Sequence, residues 1–308
     1  MSETVIAAHN LTRYFGRKRA VHALSLDVPR GCVFGFVGRN GSGKTTTIRM
    51  LLGLLEPTRG SATVLGCDSR RLPPEVRARI GYLVEGHQVY GWMRVGECAR
   101  FQARFFKTWN ADLFHAILQH FRLDARMRAK NLSRGERAGL CLALTLAPEP
   151  ELLILDDPGL GLDPVARRAL LESMIYVTRR EDRTIFFSSH LLGDVERVAD
   201  RIGVLESGQL RACCTVETFR SRVRRVVLHF PGPPPSLPPI PGLLQSFRTE
   251  AEVALTIANY DGQTEELLGR LGAARIEPVP LDLEDAFISY LGERGERSFF
   301  LPQTGGAA

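Results

Sequence analysis

GRNGSGKT, at residues 38–45, matches the phosphate-binding pattern GxxxxGK[ST] at every fixed position. It follows the apolar stretch VFGFV (33–37) and opens TTTIRMLLGLL (45–55), which has a helical pattern. A strand, a glycine-rich turn and a helix, in that order, form the context in which this motif binds phosphate. The glycines let successive backbone N–H groups converge on phosphate oxygens, and the helix N-terminus adds a positive dipole end. The stretch therefore predicts a nucleotide-binding α/β fold.

Two side chains of this motif have separate expected tasks. Lys44 would bridge the β- and γ-phosphates of a nucleotide, and the hydroxyl of Thr45 would ligate Mg²⁺. A glycine-rich turn with a purely structural role does not account for a lysine and a threonine at this spacing. The other residues of the stretch that we assign to nucleotide binding are Gly38, Asn40, Gly41, Ser42, Gly43 and Thr46.

A second apolar stretch, ELLILDD at residues 151–157, ends in two aspartates. Ligands bind at the carboxyl ends of strands in open α/β sheets, so both carboxylates are expected beside the nucleotide. Asp156 is suited to holding Mg²⁺, and Asp157 is suited to orienting or deprotonating an attacking water. A purely structural aspartate turn is a weak explanation beside a complete phosphate-binding loop.

The composition is that of an ordinary globular protein. Of 308 residues, 44% are hydrophobic and 24% are charged, which argues against a disordered or fibrous chain. No apolar stretch approaches the roughly 18–20 residues that cross a bilayer, and the first residues do not resemble a secretory signal. Six cysteines without a CxxC pair do not indicate a disulfide scaffold or a zinc site. The net charge of +6 is dispersed among acidic residues and predicts a solvated surface.

Residues 1–220 alternate short apolar runs with amphipathic segments. The runs CVFGFVG (32–38), ELLILDD (151–157) and TIFFSSH (184–190) are typical of strands that are buried on both faces of a parallel sheet. Phe101, Phe105 and Trp109 recur at helical spacing, and Phe114, Ile117, Leu118 and Phe121 follow at the same kind of spacing. We interpret this aromatic stripe as core packing.

The sequence pattern changes near residue 220. Residues 221–292 contain three strand-like segments, a helical segment, a fourth strand and a final helix, which predicts a small α+β domain. A proline-rich stretch at 231–241 is expected to form a loop or a polyproline segment. Residues 293–308 are expected to form a flexible tail.

The segment between the two phosphate-site motifs narrows the choice of family. LSRGE, at residues 132–136, lies about 20 residues before Asp156 and resembles the LSGGQ signature of ABC ATPases. Other motifs of that family occur around it in order. Tyr14 resembles the aromatic residue that stacks on adenine, Glu85 falls at the Q-loop position, and GLGLDP (159–164) resembles the D-loop. His190 resembles the switch histidine, so the resemblance spans about residues 4–218.

The resemblance also extends to the C-terminal part of the chain. LEDAFISYLG (283–292) is similar to the closing segment of ATP-binding subunits of ABC exporters that carry a C-terminal extension. It implies a core with a mixed sheet and a helical subdomain at about 88–145. It also implies an ATPase that dimerises around ATP and Mg²⁺ at the cytoplasmic face of the cell membrane. Such a subunit powers export of an unidentified substrate through a separate polytopic membrane subunit.

The family implies further site residues. In the head-to-tail dimer, Ser133, Gly135 and Glu136 of one chain face the ATP that is bound by Lys44 of the other. The segment GHQVYGWMRVGE (86–97) would contact a coupling helix of the membrane subunit. The resemblance implies that Asp157, His190 and Glu85 take part in catalysis. It implies that Thr45, Asp156 and Glu85 bind the metal ion. It adds Tyr14 and Asp163 to the residues that contact the nucleotide.

Three positions depart from the family pattern. Asp157 replaces a glutamate, and its carboxylate is one methylene shorter, so we predict slow but real hydrolysis. Glu85 replaces a glutamine and can still ligate Mg²⁺. Glu136 also replaces a glutamine, and Ser133-x-x-Glu136 matches a capping box, in which the glutamate binds its own helix terminus.

Three alternative functions stay open beside the exporter ATPase. The chain could be a weak or degenerate subunit in a heterodimer, although a functional homodimer is preferred. It could be a regulatory nucleotide sensor, if Asp157 does not support hydrolysis. A soluble ABC ATPase acting on nucleic acid has only the diffuse basic charge in its favour, so no nucleic-acid partner is expected.

Overall fold

The structure is a computed structural model that describes residues 3–180 and 183–291, with no side-chain description at 177–180 and 291. It divides into two compact units, Met1–Leu210 and Arg211–Ala308. The sequence places the domain boundary ten residues later, at 220, and that assignment stays a prediction. The expected flexible tail, residues 293–308, lies outside the described residues.

The first unit combines an antiparallel sheet, a parallel sheet and helices. Its antiparallel strands run in the order β2-β1-β4-β5, and its parallel strands run in the order β9-β3-β8-β7-β6. The elements are β1 (Thr4–Phe15), β2 (Lys18–Pro29), β3 (Val33–Val37), α1 (Lys44–Leu51), β4 (Arg59–Val64), β5 (Cys67–Asp68), α2 (Pro74–Arg77), β6 (Ile80–Leu83), α3 (Val95–Ala103), α4 (Ala111–His120), α5 (Arg134–Leu146), β7 (Leu152–Leu155), α6 (Pro164–Arg180), β8 (Thr184–Ser189), α7 (Leu192–Val198) and β9 (Arg201–Glu206).

The three apolar runs of the sequence form the centre of the parallel sheet. Every residue of β3, β7 and β8 is buried, as expected for strands that are covered on both faces. Val37 pairs with Ser189, and Leu155 pairs with Phe187. These registers align the carboxyl ends of the three strands, so the residues that follow them meet at one edge of the sheet.

The core prediction for the aromatic stripe was wrong for Phe101 and Phe105, whereas Phe114, Ile117 and Leu118 of α4 are buried as expected. Helix α3 ends at Ala103, and the side chains of Phe101 and Phe105 are exposed. Trp109 is half-buried and packs against buried Phe114, at the start of α4. Because the helix stops before Phe105, the apparent period of four residues does not correspond to one buried helical face.

The second unit forms an α+β fold. Its antiparallel sheet has the strand order β12-β13-β11-β14. Val226, Leu228, Val253 and Leu255 project from the sheet and pack with Leu268 of the following helix. The elements are β10 (Gln209–Thr215), in which the division between units falls, α8 (Val216–Arg222), β11 (Arg224–His229), β12 (Leu243–Arg248), β13 (Glu252–Ile257), α9 (Gly262–Gly269), β14 (Arg275–Val279) and α10 (Leu283–Leu291).

Within residues 3–180 and 183–291, no helix is both long enough and apolar enough to cross a bilayer.

Candidate nucleotide-binding site

At two positions of the loop after β3, only glycine fits the backbone. Gly43 has φ +108°, and a Cβ at this residue would lie 2.5 Å from the carbonyl oxygen of Ala20. A Cβ at Gly38 would collide with the carbonyl oxygen of Leu205. The loop can therefore close tightly over the start of α1, with its amides free of side-chain bulk.

The N-terminus of α1 is open to an anion. No side chain caps it, and its first turn contains no acidic residue. Lys44 begins the helix and is buried, with its Nζ donating to the carbonyl oxygens of Gly38 at 2.7 Å and Arg39 at 3.3 Å. Burial lowers the pKa of Lys44, although nearby Asp157 and Asp156 raise it in part. A phosphate would satisfy both the open amides and this buried ammonium group.

Asp156 connects the loop to the end of β7. Its Oδ1 accepts hydrogen bonds from Thr45 Oγ1 at 3.0 Å and from Ser188 Oγ at 2.9 Å. Its Oδ2 is buried and has no hydrogen-bond partner. Burial raises the pKa of the Asp156 carboxyl, because its charge is poorly solvated there.

This buried oxygen fits a bound cation. A carboxylate oxygen without a partner, beside a threonine hydroxyl, is a suitable donor set for Mg²⁺. Residues 3–180 and 183–291 contain no cluster of three or more His, Cys, Asp or Glu side chains that could hold a metal ion without other ligands. Phosphate oxygens would therefore have to complete the coordination, as is usual for Mg²⁺.

Asp157 and His190 form a pair at the same edge. His190 Nδ1 lies 2.7 Å from Asp157 Oδ2. The backbone N–H of Asp157 donates to Ser188 Oγ at 2.9 Å, and the residue has φ +44°. The side chain is buried against the carboxyl ends of the strands and has a defined direction.

A cavity of about 500 Å³ lies above this edge. Its lining brings together most of the predicted residues of the loop, both aspartates and Glu85, while Gly38, Ser42 and His190 are not part of it. The lining residues are Phe15, Lys18, Ala20, Asn40, Gly41, Gly43, Lys44, Thr45, Thr46, Glu85, Asp156, Asp157 and Leu160.

The aromatic residue of the cavity is Phe15 and not the predicted Tyr14. Phe15 lies in the lining, and the guanidinium carbon of Arg13 lies 4.8 Å from the centre of its ring. The backbone N–H of Tyr14 is bound to Thr58 Oγ1. Consecutive residues of a strand point to opposite faces, so only one of the two can face the cavity.

The signature segment does not line this cavity. Ser133 and Glu136 form the expected capping box at the start of α5: Glu136 N–H donates to Ser133 Oγ at 3.2 Å, and Ser133 N–H donates to Glu136 Oε2 at 2.8 Å. Gly135 lies against Ala166, where a Cβ would be 2.7 Å from the methyl carbon. Asp163 Oδ1 accepts the N–H groups of Val165 and Ala166 and so caps α6.

Two further polar groups near the site were not identified from the sequence. Ser188 bonds to both aspartates, and only its position at the polar end of an apolar strand could have indicated it. Asp194 is buried, and Arg167 lies 3.0 Å from its Oδ1, which joins α6 to α7. Burial raises the pKa of the Asp194 carboxyl. This ion pair stabilises the helices behind Asp157 and His190.

Comparison with known proteins places this geometry in a family. The family model described as "ABC transporter" matches residues 21–159. The bacitracin transport ATP-binding protein BcrA of Bacillus licheniformis is 33% identical over 224 residues, which cover 72% of this chain and 73% of BcrA. The Nod factor export ATP-binding protein I of Rhizobium sp. (strain N33) is 31% identical over 320 residues, which cover 96% of this chain and 100% of that protein.

Comparison with solved structures indicates the same family. A structure of an ATP binding subunit of an ABC transporter matches with a TM-score of 0.63 and 28% identity, over 71% of this chain and 92% of that one. The predicted fold class is confirmed, and so is the resemblance inferred from LSRGE (132–136) and its neighbouring motifs. The chain belongs to the family of ABC transporter ATP-binding proteins.

Proposed function

We propose that this chain is the ATP-hydrolysing subunit of an ABC exporter and drives transport through a separate membrane subunit. One arrangement carries the proposal: the glycine-constrained loop with Lys44 lies at the same sheet edge as Asp156 and the hydrogen-bonded pair Asp157–His190. A phosphate cradle, a cation ligand and a carboxylate held by a histidine together suit the transfer of a phosphoryl group to water.

The residues divide the reaction between them. Lys44 exchanges its contacts with the loop carbonyls for the β- and γ-phosphates, and the open amides of α1 add to the binding. Thr45 and Asp156 would hold Mg²⁺, with Glu85 as a further ligand, and a bound ion would supply positive charge against the phosphates. Asp157 orients the attacking water and accepts its proton, while His190 holds the carboxylate in place.

A second copy completes each site in this proposal. Ser133, Gly135, Glu136 and Asp163 are absent from the lining of their own chain's cavity. In a head-to-tail dimer this segment faces the nucleotide of the partner, while the Glu136 carboxylate stays in its capping box, so ATP binding closes the dimer and hydrolysis reopens it. We favour a homodimer, because both the loop and the signature segment keep usable residues in one chain.

An exposed aromatic patch supports the membrane partner. The patch consists of Tyr90, Trp92, Phe101 and Phe105, whose side chains are all exposed and whose neighbouring ring centres lie 5.2–6.1 Å apart. A cavity of about 470 Å³ adjoins it. Contiguous apolar side chains on a surface mark an interaction site. We assign the patch to a coupling helix of the membrane subunit, at the cytoplasmic face of the membrane.

Export is favoured by the relatives named above. BcrA is a bacitracin transport protein, and the Rhizobium relative is a Nod factor export protein that matches nearly the whole chain. The transported substrate is selected by the membrane subunit in this proposal, so its identity is not encoded in the residues of the nucleotide site.

The proposal is tested by phosphate release from the complex with a polytopic membrane protein encoded by a neighbouring gene. ATP hydrolysis is expected, and Lys44→Ala should abolish both hydrolysis and tight ATP binding. Trp92→Ala should weaken co-purification with the membrane protein and leave ATP binding intact. Phe247→Ala, which removes an exposed aromatic ring of the second unit, is the matched control. Hydrolysis that persists in Lys44→Ala would refute the assignment of the site.

Asp157 favours a second candidate, a regulatory subunit that binds ATP and hydrolyses it very slowly. Its carboxylate is shorter than a glutamate and is already bound to His190. Intact ATP binding with no phosphate release in the full complex would select this second function.

A further inference from the structure

Two segments of the first unit, residues 91–96 and 125–130, form a short antiparallel ribbon at the surface of the protein. Arg94 lies directly opposite Arg128 in this ribbon. Residues on either side of the pair are joined by two backbone hydrogen bonds of 2.9 Å: Val95 N–H donates to the Met127 carbonyl oxygen, and Ala129 N–H donates to the Met93 carbonyl oxygen. Because these bonds flank the two arginines, their side chains lie at the type of position where opposite side chains come closest together.

Exposure alternates along both segments of the ribbon. Met93, Val95 and Ala129 are buried beneath it. The residues that alternate with them are exposed, so their side chains share the outer face of the ribbon. Four of these exposed residues are cations, and together we call them the basic ribbon: Arg94, Arg126, Arg128 and Lys130.

The basic ribbon has no ion pair with a carboxylate in the part of the chain that the structure describes. Two acidic residues lie nearby in sequence, and backbone amides occupy both. Glu97 accepts the N–H of Arg94 at 2.7 Å, and Asp124 accepts the N–H of Arg126 at 2.7 Å. Like charges at directly opposite positions of an antiparallel pair are destabilising. The pair of Arg94 and Arg128 is therefore an arrangement that an anionic partner would stabilise.

We infer that the basic ribbon contacts an anionic lipid surface. Each arginine or lysine near an anionic leaflet favours membrane binding by roughly fivefold. The four cations are exposed along a surface and do not converge in a pocket, which suits a layer of phosphate headgroups better than a single ligand. The ribbon is also continuous with the aromatic patch, because Trp92 lies two residues before Arg94. This last step rests on the proposed function, in which the patch faces the membrane subunit.

Sedimentation of the full chain with vesicles tests the inference. Phosphatidylcholine vesicles are compared with vesicles that also contain phosphatidylglycerol, at low salt and without nucleotide. We expect binding to the anionic vesicles only, and we expect it to weaken as salt is added, because salt screens exposed charges. The triple substitution Arg126→Gln, Arg128→Gln and Lys130→Gln should weaken the binding about 10²-fold, at roughly fivefold for each charge removed.

The matched control removes three exposed arginines elsewhere in the first unit. Arg17→Gln, Arg59→Gln and Arg71→Gln together lower the net charge of the chain by the same amount as the triple variant of the ribbon. The control should leave vesicle binding nearly unchanged. An equal loss in both variants would show that binding follows the net charge alone, and it would overturn the assignment to the ribbon.

A second variant, Arg128→Glu, separates lipid binding from folding. A glutamate opposite Arg94 replaces repulsion across the ribbon with attraction, so the melting temperature should stay the same or rise. Vesicle binding should fall, and it should fall further than in Arg128→Gln, because the new carboxylate is repelled by the lipid phosphates. A lower melting temperature with unchanged vesicle binding would mean that Arg128 has a structural role only, and it would overturn the inference.

The inference also fails if the full chain does not bind the anionic vesicles. If the triple variant then loses co-purification with the membrane subunit, the basic ribbon binds a protein and not a lipid surface. ATP hydrolysis by the complex is measured in parallel. Hydrolysis without vesicle binding rejects this inference alone, whereas vesicle binding without hydrolysis rejects the proposed ATPase function alone.

Discussion

His190 and Asp157 meet through a hydrogen bond of 2.7 Å between the imidazole Nδ1 and the carboxylate Oδ2. Asp157 follows β7 and His190 follows β8, and these strands are parallel neighbours. Ser188, also at the end of β8, accepts the backbone N–H of Asp157. His190 therefore holds the carboxylate of Asp157 and Ser188 holds its backbone, which favours catalysis by a pre-positioned base.

The histidine should matter for the rate of hydrolysis and much less for nucleotide binding. His190→Ala removes the group that orients Asp157, so we expect phosphate release to fall by about 10²-fold or more. ATP affinity, measured by titration with a fluorescent analogue, should stay close to that of the unaltered chain. His115→Ala, at an exposed histidine of α4, is the control. Full activity of His190→Ala would contradict a role for the pair.

The length of the carboxylate side chain should limit the rate. Asp157→Glu moves the carboxylate about 1.5 Å outward, towards the position that the family's glutamate occupies. We expect faster single-turnover hydrolysis, on the order of tenfold, because small displacements of a catalytic group have large effects on rate. Asp157→Asn is the control and should lose activity. An unchanged rate in Asp157→Glu would show that the distance argument is wrong.

Phe15, and not Tyr14, should bind the adenine base. Phe15→Ala should raise the Kd for ATP about tenfold, since stacking on an aromatic ring is worth about 1–3 kcal/mol per base. Tyr14→Ala is the matched control, because it removes the adjacent aromatic ring that lies outside the cavity lining. Equilibrium titration with ATP measures both. A larger loss in Tyr14→Ala would restore the assignment made from the sequence.

The sheet edge that carries the phosphate site was predictable, because buried parallel strands appear in a sequence as apolar runs. VFGFV (33–37) is followed by a glycine-rich stretch with a lysine, and ELLILDD (151–157) ends in paired aspartates. These residues have little use in a core and so mark a functional edge. The capping box was predictable as well, because it is a local motif. Ser133 and Glu136 are three residues apart, and their contacts depend on one helix turn only.

The choice between Tyr14 and Phe15 depends on information that is not local. The pairing of β1 with β2 shifts register between Arg13 and Tyr14, so alternation along the strand does not identify the residue that faces the cavity. The prediction that Phe101 and Phe105 form core was wrong for a related reason. Their spacing is helical, but α3 ends before Phe105, and a helix terminus inside a periodic pattern is decided by packing.

The charge of Glu136 should have little influence on the bound nucleotide. Glu136→Gln keeps the capping box, since glutamine can also accept the N–H of Ser133. We therefore expect nearly unchanged ATP affinity and an unchanged monomer–dimer equilibrium, measured by ultracentrifugation with ATP. Ser133→Ala is the contrasting variant, because it removes the cap and the hydroxyl proposed to face the partner's ATP, and it should weaken ATP-dependent dimerisation. A large gain in dimer affinity for Glu136→Gln would mean that its carboxylate repels the triphosphate.

Glu151 stabilises the opposite end of the parallel sheet, where it lies 2.6 Å from Arg79 and 3.5 Å from Arg30. The hydrogen bond from Arg79 lowers the pKa of Glu151. A lowered carboxyl pKa adds stability above the pKa of the unfolded chain, and this stability is lost as the pH falls through the folded-state pKa.

Glu151→Gln should therefore lower the melting temperature at neutral pH and have no effect in acid. Because the pair is partly exposed, the expected loss is at most about 1 kcal/mol. Thermal melting across the acidic range measures the difference, and Glu75→Gln, at an exposed glutamate of α2, is the control. A loss that stays constant with pH would show that Glu151 acts by packing and hydrogen bonding, independently of its charge.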